Sequence, residues 1–418
     1  GREHTGLCPF HNEKTPSFPV SDEKGFFHCF GCGAHGDVIG FVMRDEGLSF
    51  PEAVERLAGE AGLEVPKEAP EDRARAEAQL TLYGVLEEAA KYFEAELRAD
   101  SGAAARAYLQ GRGLKAETIA EFRLGFASDS RTALKSALKN EQITESLLVT
   151  AGMLIEPEGG GASYDRFRDR VIFPIQDRRG RVIAFGGRAL GDAPAKYLNS
   201  PDTPVFHKGS VLYGMHLARG AARKSGRIIA VEGYMDVIAL NQGGLTETVA
   251  PLGTALTELQ MEEMWRLVDE PTLCFDGDRA GQKAAARAAE RALPRLKSGK
   301  SLRFAALPAG HDPDSLMAEG GKGALEDVLA GASPLSEQIW KLAGGGSELS
   351  TPEARAALNR RLNDYLEQIP DGDLKFYIRR HYKTRLYEPF SKVRSGWRAP
   401  PEQPRRPRDD EKVLPQQG

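Results

Sequence analysis

Two short apolar runs that each end in a carboxylate constrain the fold of this chain more than any other feature. They are residues 228–231, IIAV, and 272–275, TLCF. Apolar runs of this length, rich in β-forming residues and separated by helical spacing, predict buried strands of a parallel α/β sheet. Glu232 follows the first run, and Asp276 and Asp278 follow the second. Because ligands of open α/β sheets bind at the carboxyl ends of the strands, we expect these acids at one edge.

Three convergent carboxylates suit a hard divalent cation such as Mg²⁺. Asp276 and Asp278 are two residues apart, so in extended backbone their side chains point to the same side. The alternative is a plain turn or a solvated loop, because Asp-Gly is a common turn dipeptide. A calcium loop is excluded, because Ala280 occupies its fifth position and Arg287 its twelfth, where glutamate is required.

A second metal pattern, C-x2-H-x17-C-x2-C, lies near the start of the sequence. Its spacing predicts one structural Zn²⁺ in a closed tetrahedral site, held by Cys8, His11, Cys29 and Cys32. His28 and His35 are rival ligands, but neither completes a two-residue knuckle as His11 does. Separately buried thiols with a surface histidine are the remaining alternative. Between the knuckles, SFPV and GFFHC predict two strands, so the module is predicted to be a zinc ribbon that depends on its metal to fold.

Several motifs resemble one family. VEGYMD at residues 231–236, followed by CFDGDRAG at 274–281, closely resembles the Toprim domain shared by primases, topoisomerases and some nucleases. The residues of these two motifs resemble most those of bacterial DnaG-type replicative primases. CPFHNEKTPSF at residues 8–18 resembles the zinc-binding domain of the same proteins. The resemblance covers about residues 1–390.

This resemblance implies a multidomain α/β and α+β fold. The expected parts, in order, are an N-terminal zinc ribbon (1–66), a linker (67–78), a mixed α/β polymerase subdomain with a basic groove (79–225), a Toprim subdomain with a Rossmann-like parallel sheet (226–330), a C-terminal helical subdomain (331–393) and a disordered linker (394–418). Loss of periodicity with gain of charge and proline also favours a linker before residue 79.

The resemblance also implies roles for individual residues. The expected ligands of two or more Mg²⁺ or Mn²⁺ ions are Glu232, Asp276, Asp278, Asp312 and Asp314, of which the first three are expected to be catalytic. Asp236, one turn into the following helix, is expected to support these ligands. The residues expected to bind template and nucleotides are Arg112, Arg188, Lys196, Asn199 and Lys208.

The charge distribution agrees with a nucleic-acid partner although the formal net charge is -4. Residues 163–225 contain 12 lysines and arginines against five aspartates. A localised basic face is the usual electrostatic footprint for a phosphate backbone. For any single basic residue in this block, a solvated surface position is the alternative.

The expected function is therefore that of a DNA primase, a DNA-directed RNA polymerase that joins ribonucleoside triphosphates into short RNA primers on single-stranded DNA. Two other classes stay open. A Toprim topoisomerase or nuclease would cut DNA, and any of the 11 tyrosines could be its nucleophile. A non-catalytic nucleic-acid binding protein would carry a degenerate polymerase core, although acids at every expected position count against it.

Composition bounds the environment. Four cysteines, three of them in the metal pattern, favour a reducing cytoplasm over a disulfide scaffold. No apolar run approaches the length of about 18 residues that suggests a membrane span, so no membrane partner is expected. Because Gly1 lies close to the first knuckle, we expect a missing N-terminal segment. The resemblance likewise implies a C-terminal domain, absent here, through which the full-length protein docks on the replicative helicase.

Overall fold

A computed structural model describes residues 3–48, 50–63, 70–191, 193–253, 255–345 and 349–394. The chain divides into two compact units, residues 1–78 and residues 79–418. The predicted disordered linker at 394–418 lies, except for residue 394, outside the described residues, as does Ser49.

The first unit contains a four-stranded antiparallel sheet followed by two helices. The strands, in sheet order, are β1 (Glu3–Gly6), β2 (Phe18–Ser21), β3 (Phe26–His28) and β4 (His35–Gly36). The helices are α1 (Val38–Asp45) and α2 (Phe50–Glu60). Asp37 begins α1 by accepting a hydrogen bond from the Gly40 amide at 2.8 Å. The two strands predicted between the cysteine knuckles are confirmed as β2 and β3.

A small core surrounds the knuckles. Its buried residues are Cys8, Phe18, Phe27, Cys29 and Ala34, and Phe10, Val20 and Phe41 pack against them. Because the module is so short, most of its phenylalanine rings are needed for this core. Phe26, Phe30 and Phe50 are the exceptions, with 42%, 77% and 58% of their surfaces exposed.

The predicted linker at 67–78 differs from the structure in its local conformation. Residues 70–78 form the first turns of helix α3 (Pro70–Arg98), and the division between the two units falls inside this helix. Proline is favoured in the first turn of a helix, and the sequence that follows, EDRARAEAQL, consists mostly of strong helix formers. This segment is therefore helical although it is highly charged and lacks hydrophobic periodicity. The bounds of the linker remain a prediction.

The second unit begins with helices that pack on an antiparallel sheet. The helices after α3 are α4 (Ala103–Gly111), α5 (Ala116–Glu121), α6 (Ala133–Leu138) and α7 (Glu145–Thr150). Strands β6 (Leu154–Ile155) and β7 (Tyr164–Asp165) form a separate pair. The main sheet has the order β10-β9-β8-β5, from β5 (Gly125–Ala127), β8 (Arg170–Gln176), β9 (Val182–Ala189) and β10 (Tyr197–Asn199). β8 and β9 pair antiparallel on either side of the turn at residues 178–180.

A five-stranded sheet with the order β12-β11-β13-β14-β15 follows. Its parallel strands are β11 (Ile229–Ala230), β12 (Thr248–Val249), β13 (Thr272–Phe275) and β14 (Arg303–Ala306). The helices between and around them are α8 (Met215–Ser225), α9 (Tyr234–Gln242), α10 (Glu258–Trp265), α11 (Arg279–Ala292) and α12 (Pro313–Ala330). The predicted alternation of strands and helices over residues 228–307 is confirmed. It brings the carboxyl ends of strands β11 and β13 side by side.

The parallel sheet carries one strand that sequence patterning did not predict. β15 (Ser333–Pro334) pairs antiparallel with β14 at the sheet edge, a position that tolerates proline because no ladder hydrogen bond is lost. The last helices are α13 (Leu335–Leu342), α14 (Pro352–Leu366) and α15 (Gly372–Arg394).

Three hydrophobic cores hold the second unit together, and the first packs α3, α6 and α7 on the antiparallel sheet, through residues such as Phe93 and Phe185. The second joins the antiparallel sheet to one face of the parallel sheet, through residues such as Phe173, Val231 and Tyr234. The third joins the opposite face to the C-terminal helices, through Phe304, Trp340 and their neighbours. The predicted fold class is thus confirmed. Within the described residues, no helix combines the length and the apolar character needed to cross a bilayer.

Candidate active site and metal centres

The four predicted zinc ligands come together in the first unit. The ligand atoms of Cys8, His11, Cys29 and Cys32 all lie within 4.8 Å of one another. The two rival histidines stand apart from this cluster, and His35 Nδ1 lies 2.9 Å from the Gly33 carbonyl oxygen. Three thiols and one imidazole are the donor set that Zn²⁺ prefers in closed structural sites.

Hydrogen bonds around the cluster favour the thiolate form that a metal requires. Cys29 Sγ accepts from the amides of Gly31 at 3.3 Å and Cys32 at 3.4 Å, and Ser17 Oγ lies 3.3 Å away. Burial alone raises the pKa of Cys29, but these hydrogen bonds outweigh it and lower the pKa to about 6. Glu13 lies 3.3 Å from His11 Nε2, so it orients the ring with Nδ1 towards Cys29.

The predicted acids lie at the carboxyl ends of the parallel strands. Glu232 follows β11 and Asp276 follows β13, and these two strands are paired. The backbone amide of Asp276 donates to Glu232 Oε1 at 3.1 Å, so the two strand ends are tied together. The edge of the sheet therefore holds two carboxylates in fixed proximity, as the sequence predicted.

Both carboxylates are held in an environment that disfavours negative charge. Burial, reinforced by the charge of Asp278, raises the pKa of Glu232. Burial and then the charges of Glu232, Asp312 and Asp278 raise the pKa of Asp276 to about 7. Asp276 Oδ1 is buried and has no hydrogen-bond partner among the described residues. A cation would relieve both the repulsion and the unpaired oxygen, so the donor set fits a divalent metal ion.

Asp278 and Asp312 have a second task as helix caps. Asp278 Oδ1 accepts from the amides of Ala280 and Gly281, both at 2.8 Å, and so begins α11. Asp312 Oδ1 accepts from the Ser315 amide at 2.7 Å and begins α12. In the described part of the chain, no hydrogen bond engages Oδ2 of either residue. Each cap thus fixes its carboxylate while leaving one oxygen for another ligand.

Asp314 and Asp236 are more deeply buried than the other acids of the site. Asp314 Oδ2 accepts a charged hydrogen bond from the Arg112 guanidinium, 202 residues away in the chain. Asp236 accepts from the Gly233 amide at 2.9 Å. Burial, followed by the charges of Asp276, Asp312 and Asp314, raises the pKa of Asp236 to about 8. All five predicted ligands and Asp236 therefore belong to one electrostatically coupled acidic site.

The ligand atoms of the acidic site are nevertheless further apart than those of the zinc site. Over the described residues, the cysteine and histidine cluster is the single group of three or more ligands whose atoms all lie within 4.8 Å. The acids come from residues spread over 232–314 and are positioned by different strands and helices. Their role as metal ligands stays a prediction.

Two predicted basic residues meet at one tyrosine. The Arg188 guanidinium carbon lies 4.0 Å from the centre of the Tyr108 ring, and Arg188 Nη1 donates to the Ala189 carbonyl at 2.9 Å. Arg112 Nη1 lies 3.4 Å from the hydroxyl of the same tyrosine. Because Arg112 also contacts Asp314, this arrangement places the two arginines next to the acidic site.

The other predicted basic residues lie on irregular backbone. Lys196 is exposed just before β10, and Lys208 begins a short 3-10 helix. The Lys208 amide donates to Asp202 Oδ1 at 2.9 Å, which fixes the backbone but leaves the ammonium group to other partners. No ion pair with another described residue engages either ammonium group.

Asn199 has a structural use that its sequence context did not suggest. Its Oδ1 accepts from the Tyr234 hydroxyl at 2.6 Å, and its Nδ2 donates to the Leu252 carbonyl at 2.8 Å. The side chain thereby ties β10 to α9 and to the loop after β12. Its expected role in nucleotide binding stays a prediction.

Sequence reasoning missed three residues that organise the site. Tyr108 stacks on Arg188, Tyr234 holds Asn199, and Gln242 links α9 to the segment that follows Arg112. Gln242 Oε1 accepts from the Lys115 amide and the Thr118 hydroxyl, both at 2.8 Å, and its Nε2 donates to the Gly113 carbonyl at 3.0 Å. Tyr108 lies in the stretch AYLQGRGL at residues 107–114, close to the predicted Arg112, so its role could have been predicted from the sequence. No feature of the sequence indicates a role for Gln242.

Comparison with known families agrees with this division of the chain. Residues 1–73 match the CHC2 zinc finger, residues 92–219 match the N-terminal domain of the DNA primase catalytic core, and residues 226–305 match the Toprim domain. The zinc-finger match and the ligand cluster together support a structural zinc ion, and the Toprim match implies a divalent metal.

Individual relatives are similar over most of the chain. A DNA primase of Pseudomonas putida is 46% identical over 387 residues, which are 92% of this chain and 59% of the relative. The chain thus spans less than two thirds of that protein. A DnaG primase catalytic domain bound to ssDNA is 42% identical with a TM-score of 0.67, covering 73% of this chain and 98% of that one.

A third relative covers both units. The structure of the Aquifex aeolicus primase, comprising zinc binding and RNA polymerase domains, is 33% identical with a TM-score of 0.62. The match covers 94% of this chain and 91% of that one. With the cysteine and histidine cluster, the acidic sheet edge and these matches in agreement, the chain belongs to the family of DnaG-type DNA primases.

Proposed function

We propose that this chain is the zinc-binding and catalytic part of a DNA primase. It joins ribonucleoside triphosphates into short RNA primers on a single-stranded DNA template by metal-dependent nucleotidyl transfer. The observation that carries the proposal is the coupled acidic site at the carboxyl edge of the parallel sheet, with Arg112 beside it. A relative whose catalytic domain was solved bound to ssDNA supports the choice of template.

Glu232, Asp276 and Asp278, together with Asp312 and Asp314, hold two or more Mg²⁺ or Mn²⁺ ions in this proposal. When bound, the ions activate the primer 3′-hydroxyl and neutralise charge on the α-phosphate and the departing pyrophosphate. Asp236 stabilises the start of α9 behind the ligands by accepting a hydrogen bond from the Gly233 amide. The raised pKa of Asp276 means that the site gains most from a cation near neutral pH, where this carboxylate loses its proton.

The basic residues position the polyanionic substrates. Arg112 and Arg188, held by Tyr108, face triphosphate and template from beside the acids, and Lys196 and Lys208 extend the positive surface. Arg112 also neutralises Asp314, so it limits the repulsion that approaching phosphates meet. Asn199 contributes to substrate binding indirectly. Its hydrogen bond with Tyr234 fixes the position of β10, and Lys196 directly precedes this strand.

The zinc ribbon recognises template sequence rather than performing chemistry. Four protein ligands leave no open coordination position for a reacting group. Two of its exposed rings, Phe26 and Phe30, are available to stack on unpaired bases. As a replication enzyme of a reducing cytoplasm, the full-length protein has the replicative helicase as a further partner.

Primer synthesis on a defined single-stranded template tests this function. Glu232→Gln removes a ligand charge without changing side-chain size, so we expect primer yield to fall by about 100-fold or more. Glu158→Gln, an exposed glutamate in the loop between β6 and β7, is the matched control and should retain full activity. Equal yields from the wild-type protein and Glu232→Gln would contradict the metal assignment. Nicking of supercoiled DNA without primer synthesis would favour a topoisomerase or nuclease.

A further inference from the structure

The C-terminal helix α15 exposes large aromatic side chains that the proposed reaction does not use. In the described part of the second unit, five large hydrophobic residues are exposed, and three of them lie on α15: Phe376 at 56%, Tyr377 at 65% and Tyr387 at 68%. The opposite face of the same helix is buried through Tyr382 and Leu386. The helix is therefore anchored on one side and presents an unused aromatic surface on the other.

Aromatic and basic residues alternate along this surface. Phe376, Arg380, Lys383 and Tyr387 follow at intervals of four, three and four residues. At 3.6 residues per turn these positions fall within an arc of roughly 60°, and they extend over about 16 Å of helix. We name these four residues the α15 stripe. All four are exposed.

The positive charge of the stripe is not neutralised within the described structure. Neighbouring cations at its flanks are paired: Lys375 and Arg379 with Glu367, and Arg385 with Glu337. Arg380 and Lys383 form no ion pair with any described residue, and the chain contains no aspartate or glutamate between Phe376 and Tyr387. Among the described residues, Glu367 and Glu337 thus pair with the flanking cations, while the stripe keeps two unpaired cations. The exposed Asp373 lies one turn before the stripe.

We propose that the α15 stripe is a binding site for single-stranded DNA, separate from the acidic site. Rings interleaved with cations suit a single strand, because bases stack on the rings while the cations meet the phosphates. A hydrophobic protein partner would gain little from the two unpaired charges, and duplex DNA hides its base faces. The choice of DNA over RNA rests on the proposed function, in which the template is the long continuous strand.

Binding of a labelled single-stranded DNA oligonucleotide, followed by fluorescence anisotropy, tests the proposal in the absence of nucleotides. We expect Phe376→Ala combined with Tyr387→Ala to raise Kd about tenfold. Arg380→Gln combined with Lys383→Gln should raise Kd and reduce the slope of log K against log salt by about 1.4, because two phosphate contacts are lost. All four side chains are exposed, so tryptophan fluorescence should show unchanged unfolding.

A charge-matched control separates a site from general electrostatics. Lys297→Gln combined with Arg360→Gln removes two exposed cations that lie outside both the α15 stripe and the basic block at residues 163–225, and it should leave Kd within twofold of wild type and the salt slope unchanged. Equal losses in the control and the stripe variants would overturn the proposal, as would unchanged affinity in the stripe variants. A loss seen with an RNA oligonucleotide of the same sequence but not with DNA would overturn the choice of DNA.

The experiment distinguishes this proposal from the catalytic one. Glu232→Gln should bind DNA as the wild type does, because the stripe contains none of the proposed metal ligands. If the α15 stripe does not bind DNA, primer synthesis on a short template should be unaffected by the stripe variants. Failure of primer synthesis with intact DNA binding would instead count against the proposed function alone.

Discussion

The zinc cluster and the acidic site are both predicted metal centres, but they are built in opposite ways. In the ribbon, two short knuckles bring four ligand atoms within 4.8 Å, and hydrogen bonds from the Ser17 hydroxyl and from backbone amides lower the pKa of Cys29 to about 6. At the sheet edge, acids from five separate positions stay further apart, and burial raises the pKa of Asp276 to about 7. The ribbon environment favours the charged form of Cys29, although burial raises the pKa of Cys8. The acidic environment disfavours the charged forms of both Glu232 and Asp276.

Under the proposed function, this difference would separate a structural metal from a catalytic one. The ribbon has a core of five buried residues, so its fold depends on ligand bonds. The acidic site is carried by two large hydrophobic cores, and under the proposed function its acids would bind cations that exchange with the substrate. The acidic site is therefore held in place by the surrounding fold, whereas the fold of the ribbon depends on its metal.

Loss of a zinc ligand should have the largest effect. Cys32→Ser should abolish stoichiometric zinc and unfold the ribbon, because a structural zinc site contributes about 10 kcal/mol of folding free energy or more. Cys274→Ala, which alters a buried cysteine of β13, should retain one zinc per chain. Zinc content and limited proteolysis measure the outcome. A protease-resistant ribbon in Cys32→Ser would remove the contrast between the two sites.

The same variant should leave the second unit folded. All three tryptophans lie in residues 79–418, so tryptophan fluorescence reports on this unit alone. We expect the denaturant midpoint measured by this signal to be the same in Cys32→Ser and wild type. A shifted midpoint would show that the two units are energetically coupled.

Disruption of the long-range contacts of the acidic site should have an intermediate effect. Gln242→Leu removes three hydrogen bonds and leaves the Lys115 amide and the Gly113 carbonyl without their partner, so we expect a loss of about 2 kcal/mol in the free energy of unfolding. The segment after Arg112 is then free to move, so kcat/KM should fall while zinc content stays at wild-type level. Denaturant unfolding and initial rates measure these effects.

Gln282→Leu is the matched control, because this glutamine is exposed on α11. Its stability and kcat/KM should stay close to those of wild type. If both variants behave alike, Gln242 is not a positioning residue and the link between α9 and Arg112 has no functional weight.

A further effect concerns the pH dependence of stability. The pKa of Asp236 is raised to about 8, well above that of an unfolded chain, so its folded form binds a proton that the unfolded form has lost. Its favourable contribution is therefore present below about pH 4 and is lost as pH rises towards 8. Without added Mg²⁺, the stability of the second unit should decline over this range, and Asp236→Asn should flatten the decline.

Denaturant unfolding at several pH values, monitored by tryptophan fluorescence, measures this slope. Asp129→Asn, which changes an exposed aspartate, should keep the wild-type slope. Added Mg²⁺ should also reduce the decline, because a bound cation offsets the repulsion among the ionised acids. An unchanged slope in Asp236→Asn would mean that burial does not hold this carboxyl neutral.

Sequence patterning was sufficient for local features. The ligand spacing of the ribbon and the order of strands and helices in the parallel sheet were predicted because each depends on residues close together in the chain. The same local reasoning did not predict that residues 70–78, inside the predicted linker, are helical. It also missed β15, because two residues at a sheet edge carry no periodicity.

By itself, the sequence determined the zinc ligands, the family and the carboxylates that end β11 and β13, since these follow from short motifs and strand order. Only the tertiary structure decided what those residues contact. It paired Arg112 with Asp314, engaged the amide of Asn199 in structural hydrogen bonds and gave Gln242 three partners. It also left the α15 stripe exposed and basic. Such contacts join residues up to 202 positions apart, and packing, rather than sequence spacing, brings them together.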